Sequence, residues 1–206
     1  MQPVTTPVDW RRKAAEATPL SWTAGVVAAA DLRSAPAGLA ALDTGDEATA
    51  RAAAAACRDA VWGQPADLAG VRAGPDLTVL AHRPGQQHGV LGAAVGFLAR
   101  AFETFGDARD LDAAAELHDL TVALGAEVWD GPGGWTVGWG AALLYAVTGE
   151  QAFLATAERA ADAMCETADL DDRSRSLLAE MADAAEARAG LDAGDDEEAD
   201  HEPAPG

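Results

Sequence analysis

Apolar and polar positions divide residues 87–168 into two kinds of segment. From Val90 to Phe105 the only charges are Arg100 and Glu103, and from Val137 to Val147 there is no charge at all. A helix that is apolar on every side is surrounded by protein rather than by water. Both stretches are shorter than the about 20 apolar residues that a bilayer requires. We therefore predict two buried helices.

An amphipathic segment follows each of these stretches. Residues 110–128 and 151–167 carry apolar side chains at helical spacing on one side and charged side chains on the other. This pattern is typical of helices with one face in water. We predict two hairpins, each made of a buried inner helix and an amphipathic outer helix.

Short turns with a glycine and an acid join the inner and outer segments. They are Phe105-Gly106-Asp107, Thr148-Gly149-Glu150 and Thr44-Gly45-Asp46. Glycine tolerates the left-handed backbone at a helix end, and an acid favours the start of the next helix. A second repeat is Trp22-Thr23-Ala24-Gly25 against Trp135-Thr136-Val137-Gly138, which we interpret as the opening of an apolar helix in each case. Gly106 and Gly149 lie 43 residues apart, a spacing typical of two-helix repeats.

We divide the chain into an N-terminal arm (1–20), a helical domain (21–190) and an acidic, disordered tail (191–206). About seven or eight helices are expected, with the first hairpin over 21–61 interrupted near 34–36. Three prolines and four glycines exclude a regular helix over 63–86. That loop is either a functional lid or disordered, and Leu77–Leu80 could form a short strand.

The composition is that of one mostly helical domain with a substantial core, and it excludes several partners. The net charge of −20 argues against nucleic acid and against an anionic membrane. The N-terminus lacks the apolar run of a signal peptide, so we expect a cytoplasmic protein. Cys57 and Cys165 are predicted to be buried thiols rather than a disulfide. No spacing of ligands indicates a metal, His118-Asp119 being weak, and we expect no cofactor.

Two stretches carry a resemblance to a known superfamily: GVLGAAVGFLARAFETFGDARDLDAAAELHDL and GWGAALLYAVTGEQAFLATAERAADAM. They resemble the α/α toroids, closest to terpenoid cyclases and protein prenyltransferases. Lanthionine-synthetase-like proteins and six-hairpin carbohydrate enzymes are more remote relatives. The resemblance covers roughly residues 85–190 and implies an all-α partial toroid, an incomplete barrel of hairpins with inner and outer helices.

Alternating helix directions place the junctions from outer to inner helices on one rim. That rim collects aromatic and titratable residues, and a concave apolar pocket is the usual ligand site. We assign proton transfer to His88 and Asp130, and substrate binding to Trp22, Gln87, Trp135 and Trp139. The alternatives are that His88 only forms hydrogen bonds at a helix start, that the tryptophans are core and that Asp130 is a surface residue.

Two family motifs are incomplete in this chain. Asp169-Leu170-Asp171-Asp172 resembles the DxDD acid motif of class II terpenoid cyclases, but Arg173 follows where those enzymes have threonine. We favour an exposed cap on the last helix instead. Thr136 stands where the lanthionine-synthetase-like relatives place a zinc-binding thiolate, which disfavours zinc.

The resemblance implies a small-molecule enzyme of specialised metabolism, a terpenoid-cyclase-like cyclase, isomerase or lyase acting on a largely apolar substrate. A carbohydrate-active enzyme of the six-hairpin type would need two carboxylates across the mouth. A non-catalytic binding or scaffold protein would have a filled axis. The ring is incomplete, so we expect a homodimer or a heteromer with a biosynthetic partner.

Overall fold

A computed structural model describes residues 5–23, 25–28, 31–62, 86–123 and 131–198 of the 206-residue chain. Every regular element in this part of the chain is a helix. The helices are α1 (Pro7–Lys13), α2 (Ala35–Thr44), α3 (Glu47–Trp62), α4 (Gln86–Phe105), α5 (Ala108–Ala123), α6 (Pro132–Thr148), α7 (Gln151–Glu166) and α8 (Asp172–Glu198), with a 3-10 turn at Leu32–Ser34 before α2. The all-α prediction is confirmed for these residues.

The three glycine turns have the backbone that the sequence predicts. Gly45, Gly106 and Gly149 have φ values of 74°, 71° and 75°, in the left-handed region that glycine adopts without steric cost. They join α2 to α3, α4 to α5 and α6 to α7. Three hairpins are thereby confirmed among the described residues, and the first begins at Ala35 rather than at residue 21.

The first helices of the second and third hairpins, α4 and α6, form the centre of the structure. A Cβ atom on Gly92 would lie 2.4 Å from the backbone carbon of Thr136, and one on Gly96 would lie 2.2 Å from the ring of Trp139. A later residue of α4 thus meets a later residue of α6, so the two helices run parallel. Glycine is needed here because the backbone of one helix lies against the other.

Helices α2 and α8 extend this parallel inner row on its two sides. Gly38 of α2 faces Phe97 of α4, and Gly138 of α6 approaches Met181 of α8. The starts of α4, α6 and α8 consequently share one end. The outer helices α3, α5 and α7 pack behind the row, each beside its own hairpin partner.

Helix α1 lies in the predicted N-terminal arm and packs against α7 and α8. Trp10 is fully buried. The backbone nitrogen of Thr5 donates to Asp162 over 2.8 Å, and Nζ of Lys13 donates to the carbonyl of Thr167 over 2.6 Å. In this way α1 covers the outer side of α8, which has no hairpin partner after it among the described residues.

Residues 17–23 and 25–28, called the Trp22 segment below, are not helical, so the prediction that Trp22 opens an apolar helix is wrong. The segment has no regular secondary structure. At one end, Oγ of Ser176 in α8 donates to the carbonyl of Thr18. At the other end, Ser34 before α2 forms two hydrogen bonds with the backbone of Ala28. Pro36 in the first turn of α2 starts the first inner helix late, since proline suits a helix start.

Two other boundaries differ from the sequence expectation. Residues 129–136 were predicted to be an irregular junction, yet α6 begins at Pro132, directly after Gly131 with its φ of 132°. Proline at the first helical position lacks only a donor that would be unbonded there. Helix α8 runs to Glu198, into the predicted disordered tail, and residues 199–206 lie outside the described part.

The predicted loop 63–86, with its lid and strand alternatives, lies outside the described residues except for Gln86. Both cysteines are free thiols, as predicted, and Cys57 is buried, but Cys165 is only half-buried. Burial raises the pKa of the Cys57 thiol, which keeps this group neutral and unreactive. Within the described ranges, none of the helices combines the length and the apolar character that crossing a membrane demands.

Candidate functional site

The predicted proton-transfer residues are only partly described. His88 lies in the first turn of α4, as expected, and is 6% exposed. Asp130 lies outside the described residues, and of Gln87 only the helical backbone is described. The geometry of the predicted catalytic pair thus lies outside the described residues, and its role stays a prediction.

The structure brings two of the three predicted binding tryptophans together. The ring centroids of Trp22 and Trp139 lie 5.2 Å apart with an interplanar angle of 40°. The guanidinium of Arg173 lies over the ring of Trp22, 4.4 Å from its centroid. Stacking and cation–π contact hold the Trp22 segment on the inner row of helices.

The third predicted binding tryptophan, Trp135, differs from Trp139 in its hydrogen bonding. It is 8% exposed, and its Nε1 is buried without a hydrogen-bond partner among the described residues. The Nε1 of Trp22 is buried and unpartnered as well. Trp139 differs, because its Nε1 donates to Oε2 of Glu180 over 2.8 Å. A fully buried Trp139 with a fixed partner is a core residue rather than an open ligand face.

Glu180 of α8 is a carboxyl group of the inner row with a hydrogen-bonded partner and a raised pKa. It is half-buried and bonded to Trp139. Burial raises its pKa, while the Trp139 hydrogen bond and the charge of Arg100 lower it less strongly, and Asp43 and Asp183 add to the increase. Nη2 of Arg100 lies 3.2 Å from Oδ1 of Asp43, so Arg100 forms its ion pair with Asp43 rather than with Glu180.

These groups lie at a groove of about 270 Å³ between three inner helices, called the α4–α6–α8 groove below. Its apolar wall consists of small and aliphatic residues: Ala99, Leu143, Ala146, Val147, Ala184 and Ala187. Its charged residues are Arg100, Glu103, Glu180 and Asp183. A carboxyl group in a cleft with a perturbed pKa, such as Glu180, is a candidate for function.

The α4–α6–α8 groove lies toward the opposite end of the inner helices from the predicted mouth. His88 and Arg100 are both on α4, about 18 Å apart at the rise of an α-helix. The predicted residues lie at the helix starts, and the groove lies in the carboxyl-terminal halves of α4 and α6. Sequence reasoning therefore missed Glu180 and Arg100 as site candidates.

A second groove of about 380 Å³ adjoins the Trp22 segment. The segment forms one wall with Leu20 and Trp22, and α2 forms the other with Ala37, Ala40 and Asp43. Asp43 belongs to this groove and bonds Arg100 of the first groove. The two grooves are thus neighbours on either side of one ion pair.

The Asp169–Asp172 motif serves the start of α8. Oδ1 of Asp171 accepts from the backbone nitrogen of Ser174 over 2.7 Å, as an N-cap does, and Asp172 pairs with Arg175. Hydrogen bonds from the side chain and the backbone of Ser174 lower the pKa of Asp171. The carboxylate form suits a cap, and an ionised carboxyl group has no proton to donate. The predicted cap is confirmed.

His118 is buried between α5 and α7. Its Nε2 lies 3.1 Å from Oγ1 of Thr156, its Nδ1 lies 3.1 Å from Oδ1 of Asp119, and Phe153 meets its ring edge-on. Burial lowers the pKa of His118, and Asp119 opposes this effect. Thr156 is itself buried and bonded to the carbonyl of Ala152, so the group joins two helices rather than meeting a substrate.

Across the part of the chain that the structure describes, no three His, Cys, Asp or Glu side chains are grouped so that they could hold a metal ion. Comparison with protein-family models, with curated proteins and with solved structures yields no match to this chain.

Proposed function

We propose that this chain is a non-catalytic binding domain, built as a partial α/α toroid of helical hairpins. The observation that supports the binding role is the filled interior. Trp139 has no exposed surface, and Trp22 covers it at a centroid distance of 5.2 Å. Phe97 is also fully buried, against Gly38. A toroid that uses its aromatic side chains as packing offers its outer surfaces and grooves to a partner.

The partner that we propose is a different protein, so the assembly is a heteromer. A charge of −20 on each copy opposes the approach of a second copy. The described body nevertheless exposes an apolar groove between α4, α6 and α8, which is the kind of surface that a partner covers. Two free thiols fit a reducing compartment, and we propose that the domain works in the cytoplasm.

Site-specific photo-cross-linking tests the binding role. A photoreactive side chain replaces Ala187, which is exposed in the α4–α6–α8 groove, or Ala152, which is exposed on the outer helix α7. A discrete protein adduct in cells is expected from at least one position. The binding role is wrong if neither position gives an adduct and the purified chain retains a stoichiometric small molecule in native mass spectrometry.

Glu180 favours a second candidate, the terpenoid-cyclase-like enzyme acting on an apolar small molecule. A carboxyl group with a raised pKa beside an apolar wall suits general acid or base catalysis. If a retained compound is identified and turned over, Glu180→Gln should lower kcat about 100-fold or more. His88→Ala and Asp130→Asn test the sequence candidates in the same assay. Full turnover by Glu180→Gln would remove Glu180 from this role.

A further inference from the structure

The α4–α6–α8 groove has the walls of a helix-docking surface. Four of its six apolar residues are alanines, whose small side chains let another backbone approach closely. Leu143 and Val147 supply the larger apolar contacts. The groove is open to solvent, since Ala187 is exposed and Ala146 and Val147 are only half-buried. An amphipathic helix laid into a hydrophobic groove is a recurring mode of protein recognition.

The charges around the groove select the kind of helix. Three of its four charged residues are acids. Glu103 is exposed on α4, Asp183 is exposed on α8, and Glu180 lies between them in the wall. The one base among them, Arg100, pairs with Asp43 at 3.2 Å. Asp183 pairs with Arg11, which it shares with Glu186, so this margin keeps more carboxylates than bases. A cation of an entering helix would therefore meet Glu103 at the α4 margin, and a second cation would share Asp183 with Arg11 at the α8 margin.

From these two features we propose that the α4–α6–α8 groove docks an amphipathic, basic helix of a partner protein. Its aliphatic side chains pack on Leu143, Val147 and the alanines. One Lys or Arg side chain pairs with Glu103, and another shares Asp183 with Arg11. This rests on the proposed binding role and names the partner's chemistry.

A second copy of the chain does not fit this description. Its described basic helix, α1, is short, and its bases are used within the chain: Arg11 bonds Asp183 and Glu186, and Lys13 bonds the carbonyl of Thr167. The remaining surface carries the excess of acids that gives the charge of −20. Self-association through the groove would therefore bring like charges together.

The test uses the full chain and a fluorescein-labelled peptide of about 18 residues, long enough to form an isolated helix. The peptide has one Leu/Ala face bordered by Lys and Arg, and a scrambled peptide of the same composition serves as its control. Binding is measured by fluorescence anisotropy at physiological ionic strength. The matched variants are Glu103→Lys, in the groove, and Glu116→Lys, exposed on α5 outside it.

The amphipathic peptide should bind saturably, with the scrambled peptide at least tenfold weaker. Glu103→Lys should weaken binding about tenfold, as expected for the loss and reversal of a charge at an interface, while Glu116→Lys changes it less than twofold. Equal binding of both peptides, or equal loss in both variants, would mean diffuse attraction to an acidic surface and overturns the proposal. Absence of binding, or sedimentation showing dimers that Glu103→Lys dissociates, also overturns it. A cross-link from position 152 alone would leave the binding role standing and remove only the groove.

Discussion

The indole nitrogen of Trp139 donates a 2.8 Å hydrogen bond to Oε2 of Glu180 and thereby joins α6 to α8. Trp139 cannot move away, because its ring lies against Gly96 of α4 and under Trp22. The donor is thus fixed in place, and it orients a carboxyl group that burial makes harder to ionise. One contact ties together three inner helices, the Trp22 segment and the wall of the α4–α6–α8 groove.

The first prediction concerns the pH dependence of stability at Glu180. Burial raises its pKa above the ordinary value of 4.5, so the folded protein holds this proton more tightly than the unfolded chain does. The contribution of Glu180 to the free energy of unfolding is therefore full below pH 4.5 and is lost as the pH rises through the folded pKa. Glu180→Gln, which stays neutral, should gain stability relative to the native chain across that interval.

Urea unfolding at several pH values between about 4 and 7 measures this difference. Glu116→Gln, an exposed acid on α5, is the control and should give a curve parallel to that of the native chain. If Glu180→Gln instead lost stability relative to the native chain as the pH rises, the carboxylate would be the favoured form and the assigned effect of burial would be wrong.

The second prediction contrasts two glycines within helices. A Cβ atom on Gly92 would lie 2.4 Å from the backbone of Thr136, which cannot yield as a flexible side chain would. Gly92→Ala should therefore lower the free energy of unfolding by about 1–3 kcal/mol or more. Gly190, in α8, has nothing within 4 Å of the same position, and Gly190→Ala should raise it by about 0.5–1 kcal/mol. Urea titrations that give both variants the same sign would contradict the close approach of α4 and α6.

Local sequence was sufficient for the features that depend on local chemistry. Gly45, Gly106 and Gly149 mark the hairpin turns because the left-handed backbone selects glycine at the turn itself. The cap by Asp171 likewise needs only the backbone nitrogen of Ser174, three residues on. The buried character of α4 and α6 followed from their lack of charge.

Features made by distant residues were not visible in the sequence. Glu180 meets Trp139 across 41 positions, and no local pattern marks either residue as the partner of the other. The one available signal was Arg100, one of two charges in a mostly apolar helix, and it bonds Asp43 of another inner helix. Trp22 was misassigned because its Trp-Thr-x-Gly match to Trp135 is local, whereas Pro36 decides where the first inner helix begins.

The third prediction concerns the buried ion pair between α3 and α5. The guanidinium of Arg58 bonds Asp110, whose side chain is 2% exposed. Arg58→Ala leaves that carboxyl group buried without its cation and should cost about 3–5 kcal/mol of stability. Arg109→Ala is the matched control: Arg109 is 65% exposed and pairs with Asp107, so no measurable loss is expected.

Chemical denaturation of both arginine variants provides the measurement. A double variant, Arg58→Met with Asp110→Leu, should recover much of the lost stability, because an apolar pair of similar size removes the uncompensated charge. Equal, small effects of Arg58→Ala and Arg109→Ala would mean that the Arg58 pair behaves as a surface contact.

The fourth prediction compares deletions at the two ends of the chain. Removing residues 1–17 takes away α1 and with it the fully buried Trp10, whose Nε1 donates to Thr5 over 2.9 Å. The deletion uncovers the parts of α7 and α8 that pack on α1, and loss of a buried tryptophan alone costs about 3–5 kcal/mol. For a chain of this size the Tm should fall by about 10 °C.

Removing residues 192–206 should leave the Tm within about 2 °C. Although the helical backbone of α8 continues to Glu198, the helix has already left the body: Leu191 is 61% exposed, and a Cβ atom on Gly190 would meet nothing within 4 Å. The deletion removes an excess of negative charge and no described packing, so its small effect should carry a stabilising sign at low salt. Differential scanning calorimetry of both truncations decides the matter. A large loss from the C-terminal deletion would mean that the acidic end docks on the body, and an unchanged Tm without residues 1–17 would mean that α1 is not the outer cover of α8.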